Sequence, residues 1–191
     1  MRSPRLARQY SITHSLFRHD YEILSDGNHM FHVDNSQLTP GKPDLTFHEG
    51  PDTKGPIAGV CKYRHFSSDA IIGLGDPSHP YMNWEHFSRE SLLSCRYSFR
   101  VRLGDRMHTF TWRRTGSMKV ETLELVHEAT RDLIAEFSSG TTFSKKAGQL
   151  DIYKCYGDQF ALLVLITGLA LREKLRRTRA NSAAGAGGGG A

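Results

Sequence analysis

The sequence predicts a mainly β protein in which about twelve short strands form a closed β-barrel around a C-terminal apolar α-helix. Two observations carry this expectation. From Ser11 to about Ile152, short apolar runs alternate with turn residues, the spacing of a sandwich or barrel. Then Phe160–Leu171, FALLVLITGLAL, carries no charge and no polar stripe. A helix that is apolar all round needs cover on every side, and strands wrapped around it supply that cover while closure removes exposed sheet edges.

Taken in order, the strand candidates are Ser11–Leu16, Tyr21–Leu24, His29–Asp34, Leu45–His48, Ile57–His65, Ala70–Leu74, Asn83–Phe87, Tyr97–Leu103, Arg106–Trp112, Leu123–His127, Leu133–Phe137 and Gln149–Tyr153. Between them lie Asp26-Gly27, Pro40-Gly41, Gly50-Pro51, Gly75-Asp76-Pro77 and Gly104-Asp105, residues that favour reversals. One hairpin can be registered from sequence alone. Glycine leads the two-residue loop Gly104-Asp105, as a type II′ turn prefers, so Leu103 pairs with Arg106. Val101 then faces His108, Phe99 faces Phe110 and Tyr97 faces Trp112, all on one side of the ribbon. That side is the expected core. On the other side Arg96 falls opposite Arg113, a like-charge pair that is unfavourable unless the side chains splay into water or meet an anion. Over 121–137 the spacing of Leu123, Val126, Thr130, Leu133 and Phe137 slightly favours a helix instead of strands.

The C-terminal run is expected as a helix near 159–177, with Asp158 as N-cap and the following cations at its C-terminal end, where the helix dipole favours them. It is too short to cross a membrane: about 20 apolar residues are needed, and twelve reach only ~18 Å. Extending it would bring Asp158 or Arg172 and Glu173 into lipid at high cost. A tail anchor or an interfacial helix held by the basic cluster is the competing reading.

The chain is 191 residues long with a net charge of +5. Residues 1–9 hold +3 and residues 160–191 hold +4, leaving −2 for the body. A body without a basic face of its own speaks against nucleic-acid binding. Residues 1–9 are expected as a disordered basic arm, with a mitochondrial presequence as the alternative; 10–178 as one barrel domain; and 179–191, rich in glycine and alanine, as a disordered tail. Three cysteines, Cys61, Cys95 and Cys155, with no paired spacing, point to a reducing, cytoplasmic setting.

The residues AGVCKYRHFSSDAIIGLGDPSHP, Ala58 to Pro80, and KKAGQLDIYKCYG, Lys145 to Gly157, leading into the apolar helix, resemble the tubby C-terminal-like superfamily. That superfamily takes in tubby, the LURP-one-related proteins and the phospholipid scramblases, and the likeness is nearest to uncharacterised fungal tubby-like proteins. The resemblance covers roughly 10–178. It implies a twelve-stranded barrel around a central helix, two strands over 121–137, and a non-enzymatic module. In tubby a lysine and an arginine two apart bind a phosphoinositide headgroup, and the matching residues are Lys62 and Arg64. The turn that follows, lysine-rich in tubby, reads His65-Phe66-Ser67-Ser68-Asp69 here.

The candidate ligand is therefore an anionic phospholipid headgroup at a membrane surface, with Lys62, Arg64, Arg100 and Arg102 as its cationic partners; a protein partner without lipid is the rival expectation. Strand alternation puts each of these two pairs on one strand face, where two cations can hold a phosphate. No cofactor or metal is expected. Ten histidines occur without H-E-x-x-H or a Cys/His cluster, and His29 and His32, three apart on a strand, should point to opposite faces. No acidic calcium loop is present. HFSSD holds the residue types of a hydrolase triad without a G-x-S-x-G elbow, and in GLGDPS Pro77 stands where a dinucleotide-binding helix would open.

Overall fold

Alternate residues of an extended chain share a face, and that alternation sorts core from surface in this protein. The computed structural model describes residues 5–14, 19–36, 39–64, 67–91, 94–115, 122–139 and 146–186. The strands are β1 (Arg8–His14), β2 (Tyr21–Ser25), β3 (Asn28–Asn35), β4 (Leu45–Glu49), β5 (Ile57–Tyr63), β6 (Ala70–Leu74), β7 (Trp84–Arg89), β8 (Tyr97–Leu103), β9 (Arg106–Thr115), β10 (Thr122–His127), β11 (Leu133–Ser139) and β12 (Lys146–Ile152), followed by α1 (Asp158–Ala186). Each strand pairs antiparallel with its sequence neighbours, and β1 closes the barrel on β12 from Arg8↔Ile152 onward.

The β8–β9 hairpin has the register that its loop dictates. Leu103 pairs with Arg106, Val101 with His108, Phe99 with Phe110 and Tyr97 with Trp112. Gly104 takes φ +60° at the first turn position, a conformation that costs glycine little. The Phe99 and Phe110 rings stack at 5.6 Å in the core. Residues 122–137 form β10 and β11 rather than a helix, because a reversal at 128–131, with Arg131 at φ +60°, breaks the run. Leu123, Leu125, Ala135 and Phe137 then fill the interior at period two.

Helix α1 runs through the barrel. Ala161, Leu163, Val164, Leu165, Ile166, Leu169, Ala170 and Leu171 are all buried, so burial encircles the helix. Each large aliphatic side chain removed from water contributes about 1.5–3 kcal/mol. One polar residue interrupts this surface and is satisfied: the Trp112 Nε1–H donates to Thr167 Oγ1 at 3.0 Å, and Thr167 donates to the Leu163 carbonyl at 2.8 Å. Gly168 faces Trp112 and Phe137, where a Cβ would lie 3.0 Å and 3.2 Å from their rings. The close approach at Gly168 is to side chains of the barrel wall.

Most strand ends shift by one to three residues from the sequence reading, and three differences bear on the chain's two ends. Strand β1 begins at Arg8, inside the segment expected as an arm, and the Ala7 N–H already donates to the Ile152 carbonyl at 2.8 Å. Asp158 is the first helical residue rather than the cap; its carboxylate accepts from Arg8 at 2.7 Å, while the Gly157 carbonyl accepts the Ala161 N–H. The helix continues to Ala186, into the segment expected as a tail, because arginine, lysine and alanine are strong helix formers. The basic cluster therefore lies within the helix, not at its C-terminal end.

Candidate functional site

Strand alternation places Ala58, Val60 and Lys62 of β5 outward, since Gly59 faces Ile166 of the helix and Tyr63 donates to the Ala170 carbonyl at 2.7 Å. Carried through the register, Ile71 of β6, Trp84 and His86 of β7, and Ser98, Arg100 and Arg102 of β8 share that outer face. Lys62, Arg64, Arg100 and Arg102 thus stand on one flank of the barrel, in two pairs on β5 and β8. Two strands, β6 and β7, intervene between the pairs.

Lys62 narrows that gap. Its half-buried side chain reaches past β6 so that Nζ lies 4.9 Å from the centroid of the Trp84 ring on β7, a cation–π contact worth about 0.5–1 kcal/mol at an exposed site. Arg64, one residue beyond β5, is exposed, and its N–H donates to the Asp69 carbonyl at 3.0 Å, closing the β5–β6 turn. Arg100 and Arg102 are exposed. Among the described residues none of these four cations makes an ion pair, whereas Arg8, Arg96, Arg113, Arg131, Lys154, Arg176 and Arg177 each do. The Arg96–Arg113 conflict expected from the hairpin does not arise. Arg113 meets Glu124 at 2.7 Å, and Arg96 meets Glu128 at 2.9 Å and Glu90 at 3.1 Å. Carboxylates from neighbouring segments, rather than water, resolve it.

The mouth through which α1 leaves the barrel holds a second cluster, which sequence reasoning missed. Glu173 is fully buried. Its carboxylate accepts from Tyr21 Oη, from Asn35 Nδ2 at 3.1 Å, from Arg176 at 2.7 Å and from Arg177 at 2.8 Å. Arg177 also spans to Asp44 at 2.8 Å and packs over the Tyr63 ring at 4.9 Å. Burial works to raise the Glu173 carboxyl, and the hydrogen bonds from Arg176, Tyr21, Arg177 and Asn35 overcome it, holding the group at about 2. Lys174, pushed below its ordinary range by burial, donates to the Ser68 carbonyl. These cations are committed to the fold, so the basic cluster does not add free charge to the β5–β8 flank. The signal was present in REKLRR: one acid with arginines three and four residues on.

The remaining candidates resolve into local structure. A bulge between β2 and β3, after Ile23↔Phe31, brings His29 and His32 to the same side, against the opposite-face expectation. Both approach Glu22, at 3.5 Å and 2.8 Å. Among the described residues no group of three or more His, Cys, Asp or Glu has the arrangement of a metal site. His127, buried on β10, hydrogen-bonds His108 at 2.9 Å and Thr130 at 2.8 Å; burial, and then its histidine neighbour, lower its pKa. In HFSSD, His65 lies outside the described residues, while Ser67 Oγ and the Asp69 carboxylate accept main-chain N–H groups of Asp69 and Arg89. Asp76 accepts the Ser78 N–H at 2.8 Å in a turn that opens no helix. Cys61 is a buried apolar filler whose thiol burial pushes up, whereas Cys155 is half-buried and Cys95 exposed.

Among the described residues no helix is long and apolar enough to cross a membrane. The chain matches no protein-family model, no curated protein and no solved structure.

Proposed function

We propose that this chain is a non-enzymatic, tubby-like binding module that takes an anionic phospholipid headgroup, of the phosphoinositide class, on the outer flank of β5–β8. The observation that supports the reading is the set of four cations on one flank, Lys62, Arg64, Arg100 and Arg102, which among the described residues make no ion pair, beside the amphipathic ring of Trp84. Arg8, Arg96, Arg113, Arg131, Arg176 and Arg177 are held by carboxylates, whereas the four cations of this flank are available to phosphate. A polyphosphate headgroup engages several such groups at once through charge-assisted hydrogen bonds, and Trp84 suits the boundary between water and lipid.

Co-sedimentation with phosphatidylcholine vesicles, with and without a few per cent phosphoinositide, tests this reading. Pelleting should require the phosphoinositide and weaken as salt rises. At about 1 kcal/mol per surface cation, Lys62→Ala combined with Arg64→Ala should weaken binding by roughly thirtyfold, while loss of the Lys62–Trp84 contact lowers the melting temperature by no more than about 4 °C. Equal pelleting with both vesicle types at low salt removes the lipid reading and leaves the rival, a protein-interaction surface.

A further inference from the structure

Most of the barrel interior is apolar, yet two histidines face inward at the end where α1 enters. His108 of β9 shares a strand face with Phe110 and Trp112, and His127 of β10 shares one with Leu123 and Leu125. The His127 ring lies 5.0 Å from that of Phe110, Phe110 meets Phe160 of the first helical turn at 5.0 Å, and Tyr156 meets Phe160 at 5.0 Å. His127 therefore belongs to the packing that seats the start of α1.

Four side chains form one run of hydrogen bonds: His108 Nδ1 to His127 Nε2 at 2.9 Å, His127 Nδ1 to Thr130 Oγ1 at 2.8 Å, and Thr130 Oγ1 to Asp132 Oδ2 at 2.6 Å. Asp132 fixes its direction. Lys154 holds that carboxyl below its ordinary range, so it only accepts. Thr130 gives it the hydroxyl proton and takes one from His127 Nδ1–H, which leaves His127 Nε2 to accept from His108 Nδ1–H. The other tautomer, with Nδ1 accepting the Thr130 main-chain N–H at 3.2 Å, would set two lone pairs against each other at 2.8 Å. A proton added to the far nitrogen of His108 leaves the run intact. A proton added to His127 Nε2 sets two N–H groups against each other at 2.9 Å. The neighbouring acids are already matched: Asp132 with Lys154 at 2.7 Å, Glu128 with Arg96 at 2.9 Å and Arg131 at 3.0 Å, and Asp158 at the head of α1 with Arg8 at 2.7 Å. From β8, Val101 stands opposite His108, and the linker to α1 brings Tyr156.

We infer that the His108–His127 pair is a proton-operated latch on the helix-entry end of the barrel, shut while His127 is neutral and released when mild acid protonates it. To carry charge, the His127 ring must leave Phe110 for water, and the first turn of α1 loses part of its seat. Burial, and then His108, lower His127 from its ordinary 6.5. The stability that the pair contributes is therefore complete above pH 6.5 and is lost as pH falls. Glu173, pulled down from 4.5, titrates in a separate and more acid window. The latch goes beyond the headgroup reading and uses none of the four flank cations.

Amide hydrogen exchange at about pH 7.5 and about pH 5, expressed as protection relative to an unstructured chain, tests the latch. A histidine that charges freely only in the open form multiplies the open population about thirtyfold at pH 5. Protection of the His127, Arg131 and Ala161 amides, whose acceptors are the Asp132, His127 and Gly157 carbonyls, should fall at least about tenfold, while β5 and β6 hold theirs. Imidazole nitrogen-15 shifts of the unsubstituted protein should show the closed form with His127 protonated on Nδ1 alone at both pH values. His127→Gln, whose amide oxygen accepts the His108 N–H, should remove the pH dependence. Protection within twofold at the two pH values overturns the inference, as does an imidazolium at His127 inside a fully protected end. An equal loss in His127→Gln also overturns it, since another group would then hold the end.

Discussion

Glu173 shows what a single buried charge does in this protein. The sign of its contribution follows from the direction of its shift. Its carboxyl falls from an ordinary value of 4.5 to about 2 on folding, so the folded state favours the charged form. The stability gained is full above pH ~4.5 and is lost as pH falls through 2, amounting to about 3 kcal/mol. Thermal denaturation from pH 7 to pH 2 should show this acid limb, and Glu173→Gln should flatten it. At pH 7, Glu173→Ala should cost about 3–5 kcal/mol, because Arg176 and Arg177 are left facing each other in a half-buried site. A loss below 1 kcal/mol by denaturant titration would show that water reaches the mouth. The same residue marks a limit of sequence reading. Its i+3 and i+4 arginines are visible in the chain, but Tyr21 on β2, Asn35 on β3 and Asp44 just before β4, which meets Arg177, are not.

At the level of elements, the helix and the wall define each other. Leu165 is fully buried, so Leu165→Asp places an unpaired carboxylate in the interior and should remove several kcal/mol of stability. Leu165→Ala, which leaves a void, should cost about 2–5 kcal/mol. Circular dichroism melts distinguish these from a peripheral helix, in which the aspartate would be tolerated. Much of this architecture could be read from the chain. The twelve strands announced themselves through alternation and turn residues, and the Gly104-Asp105 loop set a register that holds pair by pair. Three features resisted. The apolar spacing over 121–137 fits a helix by coincidence, and only the reversal at Arg131 breaks it. The β2–β3 bulge moves His29 by one face, a shift that no residue type signals. The β7–β8 ladder, paired only at Ser88↔Ser98 and Arg89↔Tyr97, depends on where pairing stops, which side-chain pattern does not encode. Of the candidate site, the four cations were legible as strand-spaced residues, but Trp84, which Lys62 overlies, comes from a strand two places away.

For the molecule as a whole, the interior is complete by the exit mouth, and Thr178–Ser182 of α1 are exposed. Ending the chain after Arg179 should therefore shift unfolding free energy by less than about 0.5 kcal/mol. Ending it after Leu171 removes Glu173 and the arginines of the mouth and should leave no cooperative melt.

Closure of β1 on β12 joins Arg8 to Ile152, so the first strand to leave the ribosome must wait for the last. Until then β1 and β11 stand as raw edges, and the cavity between them lacks its plug. Such distant pairing is slow to form, and a nascent chain halted before residue 146 should stay open to protease and dependent on a chaperone.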